Sequence, residues 1–503
     1  MSTNLELLTQ CLEMETLTQS VYDIAAAGLV EGSHQAACID WLLKNRRGDG
    51  TWGDPRSWHD CYISTYSAAL ALHGAGHVQE SATAIRTLPG IAQHESVPTP
   101  ETLTFGVLVS ALDRIGAKRF GLVPPAHPPS VQKLIDSETK KSKKIAAWSG
   151  FYEPMISVAG FTAERVYDDS SIDLNRFINS FSIKCGGIAG SPGASAVTLL
   201  AAQEAGVEAP ALSAYVETLN PDRRLIGVLD SVDYFAVAWS LLYWHELGNT
   251  TVPVHAAITP LKYALYNRNR RHLLSSGGSA GEDMPNPGEL DTAATSMLAL
   301  QVPARVRRRM LAVTGPLFFN GTCYTTYQFE VNPSVTTNVH MIAAWPENEK
   351  NARILDWLST EMDERGTVTC KWHVSYVYAT AELARAFARL PVPAANELAH
   401  RASVCLIESQ HSDGGWGLGA STHEETGYAV IGLCAASEAG LIDGSRVQQA
   451  LNRANAFLTD TPLTYEKLWI GKSLYCVRPI TRMLSEVSRL RIAQLQGSYV
   501  LSR

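Results

Sequence analysis

A chain of 503 residues is long enough for two large helical domains. Its 46% hydrophobic and 18% charged residues are ordinary for a globular enzyme and too apolar for disorder. A net charge of −7 gives no basic field for nucleic acid or for an anionic membrane, so an anionic ligand must be held by a few local Lys or Arg side chains. The nine cysteines are scattered and form no CxxC, which favours a reducing compartment. The first residues carry acids where a signal peptide carries basic ones, and no run of 18 apolar residues occurs. A cytoplasmic protein without a transmembrane segment is expected.

Taken in chain order, apolar residues at three- and four-residue spacing predict helices over 35–44, 62–73, 105–115, 194–205, 234–247, 292–300, 337–345, 376–390 and 424–436. Gly, Pro, Asp and Ser punctuate them, and alternating runs are few. The predicted class is all-α. A short repeat joins the two ends of the chain, Asp49-Gly50-Thr51-Trp52-Gly53 and Asp413-Gly414-Gly415-Trp416-Gly417. Asp-Gly makes a turn and the Trp lies over neighbouring helix ends, which suits stacked helical hairpins. Such a repeat indicates architecture, whether a barrel or a solenoid scaffold, and not activity. A break in the helical pattern at 220–230 suggests a boundary. A second polar connection, 275–291, is of a length more often functional than idle.

That connection ends in Glu289-Leu290-Asp291-Thr292-Ala293, at the mouth of an Ala-rich helix. Asp291 there is good capping chemistry on spacing alone. The segment also resembles the D-x-D-D-T-A motif of class II diterpene cyclases, the copalyl and tuberculosinyl diphosphate synthase type, with Glu for the first Asp and Thr for the third acid. The resemblance continues in order along the chain: 49–53 with 59–65, 190–196, 233–239, Pro333-Ser334-Val335-Thr336-Thr337-Asn338-Val339-His340, Lys371-Trp372-His373 with Tyr376 and Tyr378, 424–428, and Leu468-Trp469-Ile470-Gly471-Lys472.

What the resemblance implies is a pair of α-barrels with the active site between them. The acid-bearing barrel would comprise 1–24 plus 231–503, and 25–230 would form an inserted barrel. Asp291 would be the general acid, with Asn338 and Ser334 bonded to its far oxygen and Glu289 reloading the proton. Protonating an alkene demands a neutral, shielded carboxyl, and hydrogen bonds to the carboxylate left behind restore its strength at transfer. The plain alternative for Asn338 is a helix-start cap. Tyr234, Trp239, Trp372, Tyr376 and Tyr378 are candidates to line an apolar chamber with π-faces, or simply to fill the core. Lys371 and Lys472 are expected to bind the substrate's diphosphate, a solvated lysine being the plain alternative for each. Magnesium is expected with the diphosphate, although only Glu101 stands in the stretch matching the family's acidic segment.

The implied reaction is cyclisation of geranylgeranyl diphosphate to a bicyclic product that keeps its diphosphate, for a downstream terpene synthase or phosphatase. Farnesyl diphosphate is the alternative substrate. Ionising chemistry would need D-D-x-x-D, and Asp168-Asp169-Ser170-Ser171-Ile172-Asp173 has one residue too many. A prenyltransferase-like zinc barrel would draw on Asp291, Cys370 and His373, since Cys370-x-x-His373 has ligand-like spacing. A squalene-hopene-type cyclase shares the acid and the corners, but is normally longer.

Overall fold

The computed structural model describes residues 2–92, 100–148, 162–167, 169–170, 172–183, 185–222, 226, 233–249, 251–268, 289–327, 330 and 332–501. Residues 275–288 of the predicted connection 275–291 lie outside them, as does most of the 220–230 boundary. Helices dominate the described residues, as the periodicity predicts, and the one sheet among them is a hairpin pairing Trp469–Ile470 with Leu474–Tyr475. No helix among the described residues is long and apolar enough to cross a membrane.

Buried apolar side chains fall into two large clusters. One joins Leu8, Cys11 and Leu17 to residues from Tyr234 to Ile492. The other runs from Val21 to Ile226. The chain therefore starts in one half, builds the other, and returns. Within each half, helices that pack on both sides are buried almost all round, as with Trp58–Gly74, Pro192–Ala205 and His423–Glu438. A helix buried on every face belongs at the inside of a helical assembly.

The Trp corners show how the helical pairs are closed. In the first, the Arg47 amide donates to the Thr51 carbonyl (2.9 Å) and the Gly50 amide to the Arg47 carbonyl (3.0 Å). Gly50 sits at φ 84°, where only glycine is unstrained. The Trp52 amide then donates to the Thr65 hydroxyl of the next helix (3.0 Å), and its indole N–H to the Leu42 carbonyl (2.8 Å). Trp416 repeats this with Thr426 (3.0 Å) and Leu406 (2.6 Å). Two further corners share the backbone pattern without a Trp: residues 183–188, whose Ile188 amide donates to Ser195, and 363–368, whose Val368 amide donates to Thr380. Four such turns, two in each half, stand among the described residues.

The hairpin seams the halves together. Its tip, Gly471-Lys472-Ser473, reaches from the C-terminal half into the other: the Leu103 amide donates to the Gly471 carbonyl (2.8 Å), and the Ser473 and Ser20 hydroxyls lie 2.6 Å apart. Asp60 accepts the Leu474 amide (2.7 Å) and the Asp54 amide (2.7 Å), so one buried carboxylate ties the first corner to the hairpin.

Candidate active site

The helix Leu290–Ala299 begins with Glu289 at the cap position, whose side chain makes no cap hydrogen bond. Its first amide is taken instead by the Thr326 carbonyl (2.9 Å). Asp291 is thus not the cap but a first-turn residue, free to point sideways at the neighbouring helix Val335–Ala344. It is 3% exposed. One oxygen, Oδ1, lies 2.5 Å from His340 Nδ1, and the other, Oδ2, accepts from the Thr336 hydroxyl at 3.3 Å. Thr336 and His340 are four residues apart, hence on one face of their helix.

His340 is fully buried, and its Nε2 reaches Glu382 Oε2 at 3.0 Å. Burial alone would lower its pKa, but the carboxylates of Asp291 and Glu382 outweigh burial and push it up to about 9. While both carboxylates are charged, the ring is held as a cation that donates from both nitrogens. Burial would raise Glu382, yet Arg385 and His340 hold it down to about 2.

This corrects the expected partners of the acid. The Asn338 carboxamide faces elsewhere: its Oδ1 accepts the Tyr324 amide (2.8 Å), and its Nδ2 donates to the Tyr324 carbonyl (2.8 Å) and the Ser334 carbonyl (2.9 Å). Both amide hydrogens are occupied, so Asn338 braces the 320–327 loop. Ser334, at the cap position of its helix, lies 3.1 Å from the Thr336 hydroxyl and 3.7 Å from Cys370 Sγ, and reaches Asp291 only through Thr336. Glu289 is buried beside the acid helix, close enough to raise the Tyr475 phenol after burial has done most of that work.

The two lysines part company. Lys371 is partly exposed, paired with Glu330 (2.5 Å) and the Asn332 carbonyl (2.7 Å), and lies 4.7 Å from the Trp372 ring. The Trp372 indole donates to Thr326, whose own carbonyl receives the first amide of the acid helix, which places Lys371 near the acid helix's entrance. Lys472 is fully buried at the hairpin tip, paired with Glu164 (2.6 Å) and Ser191 (3.0 Å) of the other half. It clasps the two halves, and its expected role as a diphosphate ligand is at odds with that burial and pairing.

Aromatic rings crowd behind the acid. Trp239 meets the His340 ring edge-on at 5.6 Å and donates to the Tyr378 hydroxyl (3.2 Å). Tyr378 packs on Trp469 (5.0 Å), Tyr428 (4.9 Å) and His373 (4.9 Å), and Phe235 closes on Trp239 (4.4 Å). Tyr234 is buried on the same helix as Trp239. Tyr376 is half-buried and hydrogen-bonded to Ser409, outside this ring cluster. Phe235, Tyr428 and Trp469 are equal members of the cluster.

No group of three or more His, Cys, Asp and Glu side chains among the described residues is placed to hold a metal ion. Cys370 Sγ lies 3.2 Å from the Thr336 hydroxyl, and His373 Nδ1 accepts the Ser375 amide (3.1 Å), so Asp291, Cys370 and His373 do not converge as zinc ligands. Glu101 is half-buried, two residues before the Leu103 amide that meets the hairpin tip. One carboxylate does not make a magnesium site.

Residues 331–461 match the family described as squalene-hopene cyclase C-terminal domain. The labda-7,13-dienyl diphosphate synthase of Streptomyces clavuligerus is 27% identical over 90% of this chain and 85% of its own. The ent-copalyl diphosphate synthase of Streptomyces sp. strain KO-3988 is 25% identical over 91% and 88%. In fold, the chain is similar to the ent-copalyl diphosphate synthase of Streptomyces platensis, with a TM-score of 0.69 over 99% of both chains at 21% identity. In sequence across both halves, and in fold end to end, the chain is similar to class II diterpene cyclases.

Proposed function

We propose that the protein cyclises geranylgeranyl diphosphate by protonation, giving a bicyclic diphosphate. The observation that supports this most directly is the setting of Asp291: a buried carboxyl with a cationic His340 on one oxygen and a hydroxyl on the other. In the competent state Oδ2 carries the proton. Transfer to the substrate's terminal double bond breaks the O–H bond, forms a C–H bond, and leaves a tertiary carbocation. The carboxylate charge that develops is met by His340 and Thr336, donors already in place before the reaction. Successive double bonds close the rings, and loss of a proton from a neighbouring carbon restores an alkene, so no proton is consumed overall. The bond from carbon to diphosphate is never broken.

The rings of Trp239, Tyr378, Trp469 and Phe235 offer π-faces to a cation and no nucleophile to trap it. Lys371 is the proposed contact for the diphosphate, exchanging Glu330 for phosphate oxygens. Magnesium is proposed only as a counter-ion arriving with the diphosphate. Glu289 remains the proposed proton supply, since the line of groups behind His340 ends in arginines. Incubation with geranylgeranyl and farnesyl diphosphates, then phosphatase treatment and gas chromatography of the alcohols, tests the reading. A cyclic C20 alcohol that appears only after phosphatase is the expected result. Release of inorganic diphosphate in step with product would overturn it.

A further inference from the structure

The contact between Asp291 and His340 is the first link of a longer buried line. Glu382 accepts from His340 Nε2 (3.0 Å), from the Tyr243 hydroxyl (2.9 Å) and from Arg385 Nη2 (2.7 Å). Arg385 reaches on to Glu246 (3.4 Å), and Glu246 takes the Arg389 guanidinium in a two-pronged pair (2.7 and 2.5 Å). The side chains of Glu382, Arg385 and Glu246 are 2%, 7% and 5% exposed, whereas Arg389 is 42% exposed. Charges alternate along the line, so each buried ion has an opposite neighbour on both sides, the condition under which buried charge is tolerated.

The far end decides what the line can do. A guanidinium does not give up its proton in a protein, so the line cannot carry protons from solvent to Asp291. It is a fixed array of charge. We infer that Glu382, locked by Arg385 and Tyr243, is a positioning residue that holds the His340 ring as a two-ended donor cation against Asp291. In doing so it sets how readily Asp291 gives up its proton. This rests on the proposed role of Asp291.

The groups facing the pair come from four helices. Asp291 and Thr295 lie on the acid helix, Trp239 and Tyr243 on Asp233–Trp244, Tyr378 and Arg385 on Tyr376–Phe387, and Tyr428 on His423–Glu438. Of these, only Asp291 and Glu382 carry negative charge onto the imidazole at hydrogen-bond distance. Removing the charge of Glu382 leaves His340 between Arg385 and a carboxyl that must itself be protonated.

Glu382→Gln keeps the shape, and two readouts separate positioning from packing. In the substrate-free full-length protein with ¹⁵N-labelled histidine, parent His340 is expected to be protonated on both nitrogens near pH 7.5, and the variant's to be neutral there. In turnover, the pH above which the rate falls should move down by about two units, from about 9 to about 7, so the loss is about tenfold at pH 8 and small at pH 6. KM should stay within about twofold. Glu246→Gln, which leaves Glu382 in place, should shift the titration the same way by less, and carries the test if Glu382→Gln does not fold. A folded variant whose His340 still titrates with the parent overturns the inference. The resonance arm reads Glu382's hold on His340 even if the protein consumes no isoprenyl diphosphate, so failure of the cyclase reading is seen separately.

Discussion

Replacing His340 by Asn is the sharpest test of how Asp291 is made a strong acid. The Asn amide nitrogen can take the place of Nδ1 and still donate to Oδ1, but it is neutral and does not reach Glu382. A full charge pair at the observed 2.5 Å is worth about 6–7 kcal/mol at an effective dielectric near 20. A neutral hydrogen bond retains roughly half of a charge-assisted one, so the expected loss is about 3 kcal/mol, or roughly 10²-fold in rate. That agrees with the ~10²–10³ lost when one donor is removed from a preorganised oxyanion site. Folding should survive, because Glu382 keeps Tyr243 (2.9 Å) and Arg385 (2.7 Å). The assay is single-turnover conversion of geranylgeranyl diphosphate near pH 7, followed by gas chromatography. The loss should fall on kcat and spare KM, since the interaction matters only as the carboxylate forms. The parent's rate should also decline as pH rises through about 9, where His340 loses its charge, while that limb is absent in the variant. A variant within threefold of the parent would remove His340 from the chemistry.

Asp291→Asn should abolish cyclisation with the fold intact, because the amide keeps the shape without an acidic proton; activity within tenfold of the parent would disqualify Asp291 as the acid. Asn338→Ala should cost about 1–3 kcal/mol of stability through the orphaned Tyr324 backbone groups and little in kcat, as read by denaturation midpoint against turnover. Lys472→Ala should destabilise by about 3–5 kcal/mol, since it strands Glu164 in the seam. An unchanged midpoint with a raised KM would return Lys472 to the diphosphate. Stability itself should follow pH. His340 is raised from 6.5 to about 9, so its contribution is whole below about 6.5 and lost as pH rises through about 9. Glu382 is depressed, so its contribution is whole above about 4.5 and lost as pH falls towards about 2. Parent and His340→Asn midpoints should therefore converge on the alkaline side.

What the sequence shows and what it hides follow from which forces act locally. Helix periodicity is a local property, and the helices stand where the apolar spacing puts them. The corners at Trp52 and Trp416 are legible because Asp-Gly and Trp are rare and loud. The corners at 183–188 and 363–368 are quiet because the turn needs only a glycine in the left-handed region, a buried apolar residue and a hydroxyl from the next helix. Ile188 and Val368 meet the second requirement as well as Trp does. Lys472 is illegible for a different reason: nothing near it in sequence tells that Glu164, 308 residues away, closes over its amine.

The misplaced partner of the acid is a matter of register. Ser334 with Asn338 and Thr336 with His340 are both hydroxyl-to-donor pairs four residues apart, and both fit the same requirement for a polar pair on one helical face. They are offset by two residues, a rotation of about 200° at 3.6 residues per turn, so only one pair can face Asp291 while the other must face away. The sequence does hold a clue to which. The helix Tyr376–Phe387 is buried along its length and yet carries Glu382 and Arg385, four and seven residues after Tyr378, on one stripe. A buried carboxylate demands a cationic partner. Arg385 answers for one side of Glu382, and a histidine, unlike an asparagine, can answer for the other while still donating to Asp291. The charge requirement of a neighbouring helix, and not the spacing within its own, selects His340.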